Sequence, residues 1–333
     1  MMKYQKTHPI GTLLQIMLNA LFPLILFSCG LINNPNPPCR DKGLVPTDSY
    51  WEPAWYPTGE FIGFNHLPLV SITYPDGDNC SGVQHFDVDS LGFWIIRPDG
   101  SHMHRIYDQW LQTPQWSPDG QWIAFVKGAQ IYKMRFTGNG FDTTSITQLT
   151  FTGRNFFPSW SPSGDRIAYD SDVDSDTGLK FIWIMNSDGT SKHRISYEPD
   201  QGEHRQPSWS PNGDKIVHVR FIGIGSSEIF TMDTTGDIVL RLTNNEVDEK
   251  YPEYSPDGSY ITFVSDNKLC HITTSGSEFQ QLNEDRIQSY SWNPNGTKLV
   301  YTKYEPHDWS YSNSTLWLLN YPDGFVEQLT YNP

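Results

Sequence analysis

Residues 116–120 read Trp-Ser-Pro-Asp-Gly, and close copies of this pattern occur five more times along the chain. Proline presets the backbone at the second position of a β-turn, Asp, Asn or Ser suits the third, and Gly adopts the left-handed conformation after it. Such a turn joins two antiparallel strands. The six copies span residues 55–59, 116–120, 160–164, 209–213, 254–258 and 292–296. Copies at this spacing indicate a fold of repeated supersecondary units.

Each turn is followed by three further runs rich in β-forming residues. The second strands are predicted at 61–64, 122–125, 166–169, 215–218, 260–263 and 298–301. The third strands are predicted at 93–96, 131–134, 182–185, 229–232, 269–272 and 316–319. The fourth strands end at 104–106, 148–150, 194–196, 241–243, 281–283 and 328–330. Most third strands are apolar on both pleat faces, so both faces must be covered.

Four short strands per repeat without a helical period predict an all-β fold of four-stranded antiparallel sheets. Radial repetition buries each sheet between two neighbours and gives a β-propeller. We therefore expect a six-bladed β-propeller over residues 51–330. The blades should span about 51–113, 114–157, 158–206, 207–251, 252–289 and 290–330. Cys270 occupies a slot that is aromatic in the other third strands, and we interpret it as a small core residue.

The Trp-Ser-Pro-Asp-Gly turn, the Ile-Ala-Phe strand at 123–125, the aromatic third strand and the terminal Leu-Thr resemble the TolB-type propeller repeat, which is WD-repeat-like. The resemblance covers nearly all of residues 51–330. It implies the propeller fold. It says little about function, because one fold hosts many functions.

The N-terminus reads as a targeting segment. Lys3 and Lys6 precede the apolar stretch 13–27, which is too short and too interrupted for a spanning helix but suits a signal peptide. The stretch runs into Cys29, and this arrangement resembles a bacterial lipoprotein box. We predict a lipoprotein signal peptide over 1–28, lipidation of Cys29, and an Asn/Pro-rich tether over 29–50. An ordinary signal peptide or a short anchor is the alternative.

A lipid-anchored chain would lie in the bacterial cell envelope, and the residue after Cys29 favours the outer membrane facing the periplasm. That compartment tolerates disulfides, so Cys39 and Cys80 are candidates for a bridge between tether and loop. The chain has 23 Lys and Arg against 38 Asp and Glu, a net charge of −15. Nucleic acid is therefore not expected as a partner, because phosphate binding needs a basic face.

The segments that join one blade's outer strand to the next blade's first strand should gather at one mouth of the channel. They carry aromatic and cationic residues, which are enriched in protein interfaces. We predict that this rim binds an envelope protein or peptide; the alternative is that several of these side chains only pack the blade tops. The candidate rim residues are Trp51, Trp110, Phe156, His204, Arg205, Lys250, Tyr251 and Arg286.

No catalytic residue, metal or cofactor is expected, and the predicted function is a non-catalytic binding or scaffolding protein. Asp172, Asp174 and Asp176 alternate along one loop and form a weak calcium candidate, or simply a solvated loop. Oligogalacturonate lyases resemble this repeat and hold a metal with several His in a propeller pocket. That resemblance leaves a metal-dependent glycan lyase or hydrolase as the alternative. His218 and His271 lie within predicted strands and are interpreted as core or channel residues.

Overall fold

The computed structural model describes residues 48–73, 83–196, 202–223, 226–307 and 311–330. Within these residues the secondary structure is entirely β, which confirms the predicted all-β class. The strands are arranged in several four-stranded antiparallel sheets.

The strands follow one another in a repeated up-and-down order. The first group is β1 (Asp48–Trp55), β2 (Ile62–Thr73), β3 (Val83–Phe86), β4 (Gly92–Ile96) and β5 (His104–Tyr107). The second is β6 (Gln112–Trp116), β7 (Trp122–Lys127), β8 (Gln130–Phe136) and β9 (Phe141–Gln148). The third is β10 (Asn155–Trp160), β11 (Arg166–Ser171), β12 (Phe181–Asn186) and β13 (His193–Arg194).

Three more groups complete the described chain. The fourth is β14 (His204–Trp209), β15 (Lys215–Gly223), β16 (Ser226–Asp233) and β17 (Ile238–Arg241). The fifth is β18 (Glu249–Tyr254), β19 (Tyr260–Ser265), β20 (Lys268–Thr273) and β21 (Gln280–Gln281). The sixth is β22 (Ile287–Trp292), β23 (Lys298–His307), β24 (Tyr311–Asn320) and β25 (Val326–Gln328). We call these groups the first to sixth units.

The second to fifth units are separate four-stranded sheets, whereas the first and sixth are joined. The joined sheet has nine strands, because β1 pairs in parallel with β24 at Ser49 and Ser314 and β3 adds to β2. The Tyr50 amide donates to Ser314 Oγ at 2.9 Å, and that hydroxyl donates to the Tyr50 carbonyl at 2.6 Å. The N-terminal strand therefore links the two ends of the described chain.

The repeated turn forms by local hydrogen bonds. In the second unit, the Gly120 amide donates to the Ser117 carbonyl at 2.8 Å, and Ser117 Oγ accepts the Trp122 amide at 2.9 Å. Gly120 has a φ of 68°, a conformation that glycine adopts without strain. Hence the sequence Ser-Pro-Asp-Gly sets both the turn and the start of the second strand.

Apolar clusters lie between successive units. In β12, the side chains of Ile182 and Ile184 join a cluster with Trp209 of the fourth unit. Their strand neighbours Phe181 and Trp183 join another cluster with strands of the second unit. A further cluster combines residues of the first and sixth units, among them Trp55, Phe64, Val300 and Leu318. Each sheet is thus covered on both faces by its neighbours.

The Trp of the repeated turn also bonds to the preceding unit. The indole N–H groups of Trp160 and Trp209 donate to the carbonyls of Gln115 and Ser159, both at 3.1 Å. Trp292 donates to Thr262 Oγ1 at 2.9 Å. The repeated Trp therefore combines apolar burial with a polar link between units.

We predict that Trp209→Ala destabilises the protein by about 3–5 kcal/mol, because it removes a buried aromatic side chain and leaves a cavity between two sheets. Urea unfolding followed by circular dichroism measures the loss. Phe279→Ala is the control: Phe279 is 54% exposed, so its loss should stay within about 0.5 kcal/mol. Equal stability of the two variants would contradict an inter-sheet role for Trp209.

Candidate functional site

A β-bulge interrupts the first strand of every unit. The shifts in register fall at 51/54, 112/115, 156/159, 205/208, 250/253 and 287/290. In five of these strands the residue before a proline has a positive φ, which is strained for a side chain other than Gly. These residues are Glu52, Thr113, Phe157, Gln206 and Tyr251, with φ between 48° and 55°. Together with Ser289, the equivalent residue of the sixth unit, we call them the bulge ring.

The bulge ring connects neighbouring units through backbone amides. Four of these amides donate to a side chain of the preceding unit, so the strained conformation is held by a neighbour, whereas the Ser289 amide donates to Thr302 Oγ1 of its own unit at 3.0 Å. The bonds run from the Thr113 amide to Glu52 (2.9 Å), from Gln206 to Asp170 (3.1 Å), from Tyr251 to Gln206 (2.7 Å) and from Glu52 to Ser289 (3.2 Å).

Side chains of the bulge ring also meet across units. The rings of Phe157 and Tyr251 lie 6.0 Å apart, although they come from the third and fifth units. Burial raises the pKa of the Tyr251 hydroxyl to about 12, and the negative charge of Glu52 in the first unit adds to that rise. Three non-adjacent units thus place side chains at one location.

Glu52 organises one side of this site. Its carboxylate accepts hydrogen bonds from Asn65 Nδ2 at 2.8 Å and from the Thr113 amide at 2.9 Å. Burial nevertheless raises the Glu52 pKa to about 7. The Trp110 ring lies 5.0 Å from the ring of Trp51. Two of the predicted rim residues, Trp51 and Trp110, therefore form one aromatic pair.

The opposite side of the site is a charged group between the third and fourth units. Lys180 lies 3.3 Å from Asp170 and places its ammonium 3.8 Å from the centre of the Phe156 ring. Arg205 pairs with Glu203 at 2.8 Å. Burial raises the pKa of Asp170 to about 6, while the nearby Lys180 charge opposes the rise. Charge pairs and a cation–π contact fix these side chains around the bulges.

The predicted location of the rim residues needs a correction. Only Trp110 and Arg286 lie between units; the other six belong to first strands, because the bulge extends pairing with the second strand beyond the proline. Lys250 pairs with Asp248 at 2.9 Å, and the Arg286 guanidinium stacks on Tyr304 at 5.3 Å.

His204 does not reach the surface as a rim residue would. It is 1% exposed, stacks on His218 at 5.0 Å, and exchanges one hydrogen bond with that ring at 3.1 Å. Burial, reinforced by Arg220 and Arg194, lowers its pKa to about 3. It is therefore a core residue, as predicted for His218. His271 and Cys270 are buried as expected.

A second set of equivalent positions follows the bulge ring by two residues on each first strand, after the proline at 53, 114, 158, 207 or 252 or after Tyr290 in the sixth unit. We call it the inner tier: Ala54, Gln115, Ser159, Ser208, Glu253 and Ser291. One of its members accepts a backbone amide of the next unit: Ser291 Oγ accepts the Trp55 amide at 3.2 Å. Burial raises the Glu253 pKa to about 8.

The family model described as "TolB beta propeller domain" matches residues 99–320, more than half of the chain. This chain belongs to the TolB β-propeller domain family. An uncharacterized protein of Agrobacterium fabrum (strain C58) is 24% identical over 241 residues, which cover 70% of this chain and 76% of that protein.

Solved structures show the same fold. TolB from Acinetobacter baumannii is 20% identical with a TM-score of 0.58, and the match covers 84% of this chain but only 62% of TolB, less than two thirds of its length. An oligogalacturonate lyase in complex with manganese is 11% identical with a TM-score of 0.53, covering 85% of this chain and 77% of the lyase. At these identities the likeness concerns the fold alone. The TolB-like propeller predicted from the repeat is confirmed.

In the predicted calcium loop of this TolB-family chain, one of the three aspartates already pairs with an arginine. Asp172 Oδ2 lies 2.5 Å from Arg154 Nε, and Asp172 Oδ1 accepts the Arg154 amide at 2.5 Å, while Asp174 and Asp176 are exposed. Within the described ranges, no three His, Cys, Asp or Glu side chains are grouped as a metal ion would require. Calcium binding at this loop stays a prediction.

Several sequence predictions fall outside the described residues. These are the signal peptide, the tether before residue 48, lipidation of Cys29, and the Cys39–Cys80 bridge. In the part of the chain that the structure describes, no helix has the length and apolar character needed to cross a bilayer.

Glu253 should make stability depend on pH. Its pKa is near 8 in the folded chain and near 4.5 when unfolded, so its contribution is fully present below about pH 4.5 and is lost as pH rises through 8. We expect Glu253→Gln to flatten the decline in unfolding free energy between pH 5 and 9 by about 1–2 kcal/mol, since solvent screening reduces the full linkage. Urea unfolding at several pH values measures this.

The matched control is Glu60→Gln, which removes an exposed carboxylate on the turn of the first unit. It should leave the pH dependence unchanged. If Glu253→Gln retains the decline of the unmodified protein, then Glu253 does not titrate in the way described.

Proposed function

We propose that this chain is a non-catalytic binding protein of the bacterial envelope, built as a closed six-bladed propeller. The bulge ring and the side chains around it would take a peptide segment of a protein partner. Each of the six units would be one blade, and the first strands would line a central channel.

Contacts between the first and sixth units support ring closure. They share an apolar cluster and the β1–β24 link. The repeated turns of neighbouring units also lie close to each other. A β-carbon on Gly59 would lie 3.7 Å from Cδ of Pro294, and one on Gly164 would lie 3.7 Å from Cδ of Pro118. The contact from the sixth unit to the first thus repeats the contact from the second to the third.

The observation that carries the binding proposal is a set of unsatisfied polar atoms at the bulges. Thr113 Oγ1, Arg205 Nε and Gln288 Oε1 are buried and have no hydrogen-bond partner within the described part of the chain. Buried polar groups are normally paired. The Thr113 hydroxyl can donate or accept, Arg205 Nε donates and Gln288 Oε1 accepts. Three different first strands thus offer the donors and acceptors that a peptide backbone needs, or water in its absence.

The surrounding side chains fit a protein ligand as well. Trp51, Trp110, Phe156 and Tyr251 are partly exposed aromatics, and Arg205 and Arg286 add guanidinium groups. Protein interfaces are enriched in these residue types. Most of the cations are paired with acids on the same surface, so apolar contact and hydrogen bonding would dominate over long-range attraction.

We predict that the triple variant Trp110→Ala, Phe156→Ala and Arg205→Ala lowers capture of the partner from envelope extract at least tenfold, because interface anchors each contribute on the order of 1–2 kcal/mol. The melting temperature should fall by only a few degrees, since these side chains are partly exposed. Quantitative mass spectrometry of cross-linked complexes measures the capture.

A matched control carries Phe279→Ala, Phe325→Ala and Arg97→Ala. These residues are exposed on the turns between third and fourth strands, away from the bulge ring. The control should capture the partner as the unmodified chain does. Equal capture by the triple variant at the bulges would refute the proposed location.

The envelope location rests on the N-terminal sequence. A signal peptide over residues 1–28, with a lipid on Cys29 after its removal, would anchor the chain to a membrane, and the outer membrane facing the periplasm is the favoured location. Several acyl chains hold a protein far more firmly than one. The propeller would then reach its partner from the tether over residues 29–50.

A metal-dependent glycan lyase or hydrolase acting in the channel is the alternative function. The likeness to an oligogalacturonate lyase concerns the fold alone, and the described residues carry no observation that favours this chemistry. A stoichiometric transition metal in the purified protein would favour it over the binding proposal.

A further inference from the structure

A cleft of about 230 Å³ lies between the fourth and fifth units. The turns after β14 and β18 form much of its lining, together with residues of β16 and of the segment after β20. Among the described residues that line it, none belongs to the bulge ring or to the inner tier. The cleft is therefore separate from the proposed peptide site.

The cleft exists partly because the fifth unit lacks the repeated Trp. It has Tyr254 at the position where the other five units have Trp. Between the third and fourth units, the Arg166 guanidinium stacks on the Trp209 ring at 4.7 Å and fills this space. The equivalent pair of the fourth and fifth units is Lys215 and Tyr254, and both of these residues line the cleft.

A short side chain on the third strand adds to the space. Thr231 of β16 is equivalent to Ile184 of β12, which packs in one cluster with Trp209 of the next unit. In the second unit the equivalent residue is Lys133, whose ammonium donates to the Ser187 carbonyl of the third unit at 2.7 Å. Thr231 is shorter than either residue, so the fourth unit leaves a gap to the fifth.

Two buried hydroxyl groups face this cleft without a partner. Thr231 and Tyr254 line it and are only 3% and 7% exposed, and within the described ranges neither hydroxyl is hydrogen-bonded to the protein. Burial raises the pKa of the Tyr254 hydroxyl, and the negative charge of Asp214 adds to the rise, so this group keeps its proton. Buried polar groups are normally paired. A ligand that both donates and accepts hydrogen bonds would satisfy the two hydroxyls.

Charged and amide side chains surround the mouth of the cleft. Asn212, Asp214 and Asp257 are exposed and Lys215 is half-buried. In the part of the chain that the structure describes, Asp214, Lys215 and Asp257 form no salt bridge. A hydroxyl group donates to a carboxylate and accepts from an ammonium, so an uncharged ligand with several hydroxyls can use all of these groups.

The volume of the cleft limits the ligand to one small molecule. A cavity of roughly 150 Å³ admits one benzene molecule, so this larger cleft admits one six-membered ring with its substituents. A sugar ring has hydroxyls around its edge, and its C–H groups can pack on the Tyr254 ring. A zwitterionic amino acid fits less well, because a charge placed against the buried hydroxyls would lack a counter-charge.

We propose that the cleft between the fourth and fifth units binds one sugar ring, either a free monosaccharide or the end residue of a glycan chain. The sugar hydroxyls would donate to Asp214 and Asp257, accept from Lys215, and bond to Thr231 and Tyr254 at the buried end. This binding does not depend on the proposed function, because the two sites share no residue.

The test uses the whole chain and four monosaccharides: glucose, galactose, mannose and N-acetylglucosamine. Saturation-transfer difference NMR should show at least one of them binding with a Kd on the order of 1–10 mM, as expected for so small a ligand. The methyl glycosides of that sugar distinguish its source, because the methyl group stands for the rest of a glycan chain. Retained binding indicates the end residue of a glycan, and lost binding indicates a free monosaccharide.

Three variants assign the binding to this cleft. Tyr254→Trp restores the residue of the other units and fills the space, so the sugar should no longer bind. Thr231→Val keeps the shape but removes one hydroxyl, and it should weaken binding about fivefold. Thr152→Val is the matched control in an exposed loop and should bind as the unmodified chain does.

Three results would overturn the proposal. The first is that none of the four sugars binds at about 50 mM, well above the expected Kd. The second is a sugar affinity that both Tyr254→Trp and Thr231→Val leave unchanged, which would place the binding elsewhere. The third is binding of serine, a zwitterion of similar size, in place of every sugar.

Discussion

The constraint behind this fold is that its sheets are apolar on both faces, so no sheet is stable unless a neighbour covers each side. Along β12, alternate side chains enter two different clusters: Ile182 and Ile184 pack toward the fourth unit, and Phe181 and Trp183 pack toward the second. The first and sixth units likewise share an apolar cluster, so their facing sides are covered as well. Burial on both faces is the dominant favourable term for such a sheet, and it fixes each unit between two others.

The first strands combine this structural role with the candidate site. Their bulges hold five non-glycine residues at positive φ, and side chains of the preceding unit stabilise that strain by accepting amides such as those of Thr113 and Tyr251. Strained backbone persists only where the surroundings determine it. Packing between units therefore creates the bulge ring, and the unsatisfied polar atoms at the bulges are the basis of the proposed ligand site.

The sequence predicted the local features well, because Pro, Gly and the strand patterns act over a few residues. The turn at 116–120 and the strand β7 after it lie where the repeat places them. The rim residues were found from symmetry, but their place in first strands was not, since a bulge depends on pairing with the second strand. Glu52 and Asp170 were missed because each accepts a backbone amide from the next unit, that of Thr113 or Gln206. For Glu52 a signal was available in the sequence, because it precedes a proline at the position equivalent to Thr113. The burial of His204 likewise depends on His218, on another strand.

We propose that β1 closes the ring as firmly as any other contact between units does. Native-state hydrogen exchange of the amides in β1, β10, β14 and β22 tests it most directly, because exchange reports the free energy of local opening. A closed ring predicts protection factors of β1 and β22 within about tenfold of those of β10 and β14, a difference of about 1.4 kcal/mol. Exchange of β1 and β22 several orders of magnitude faster would contradict closure.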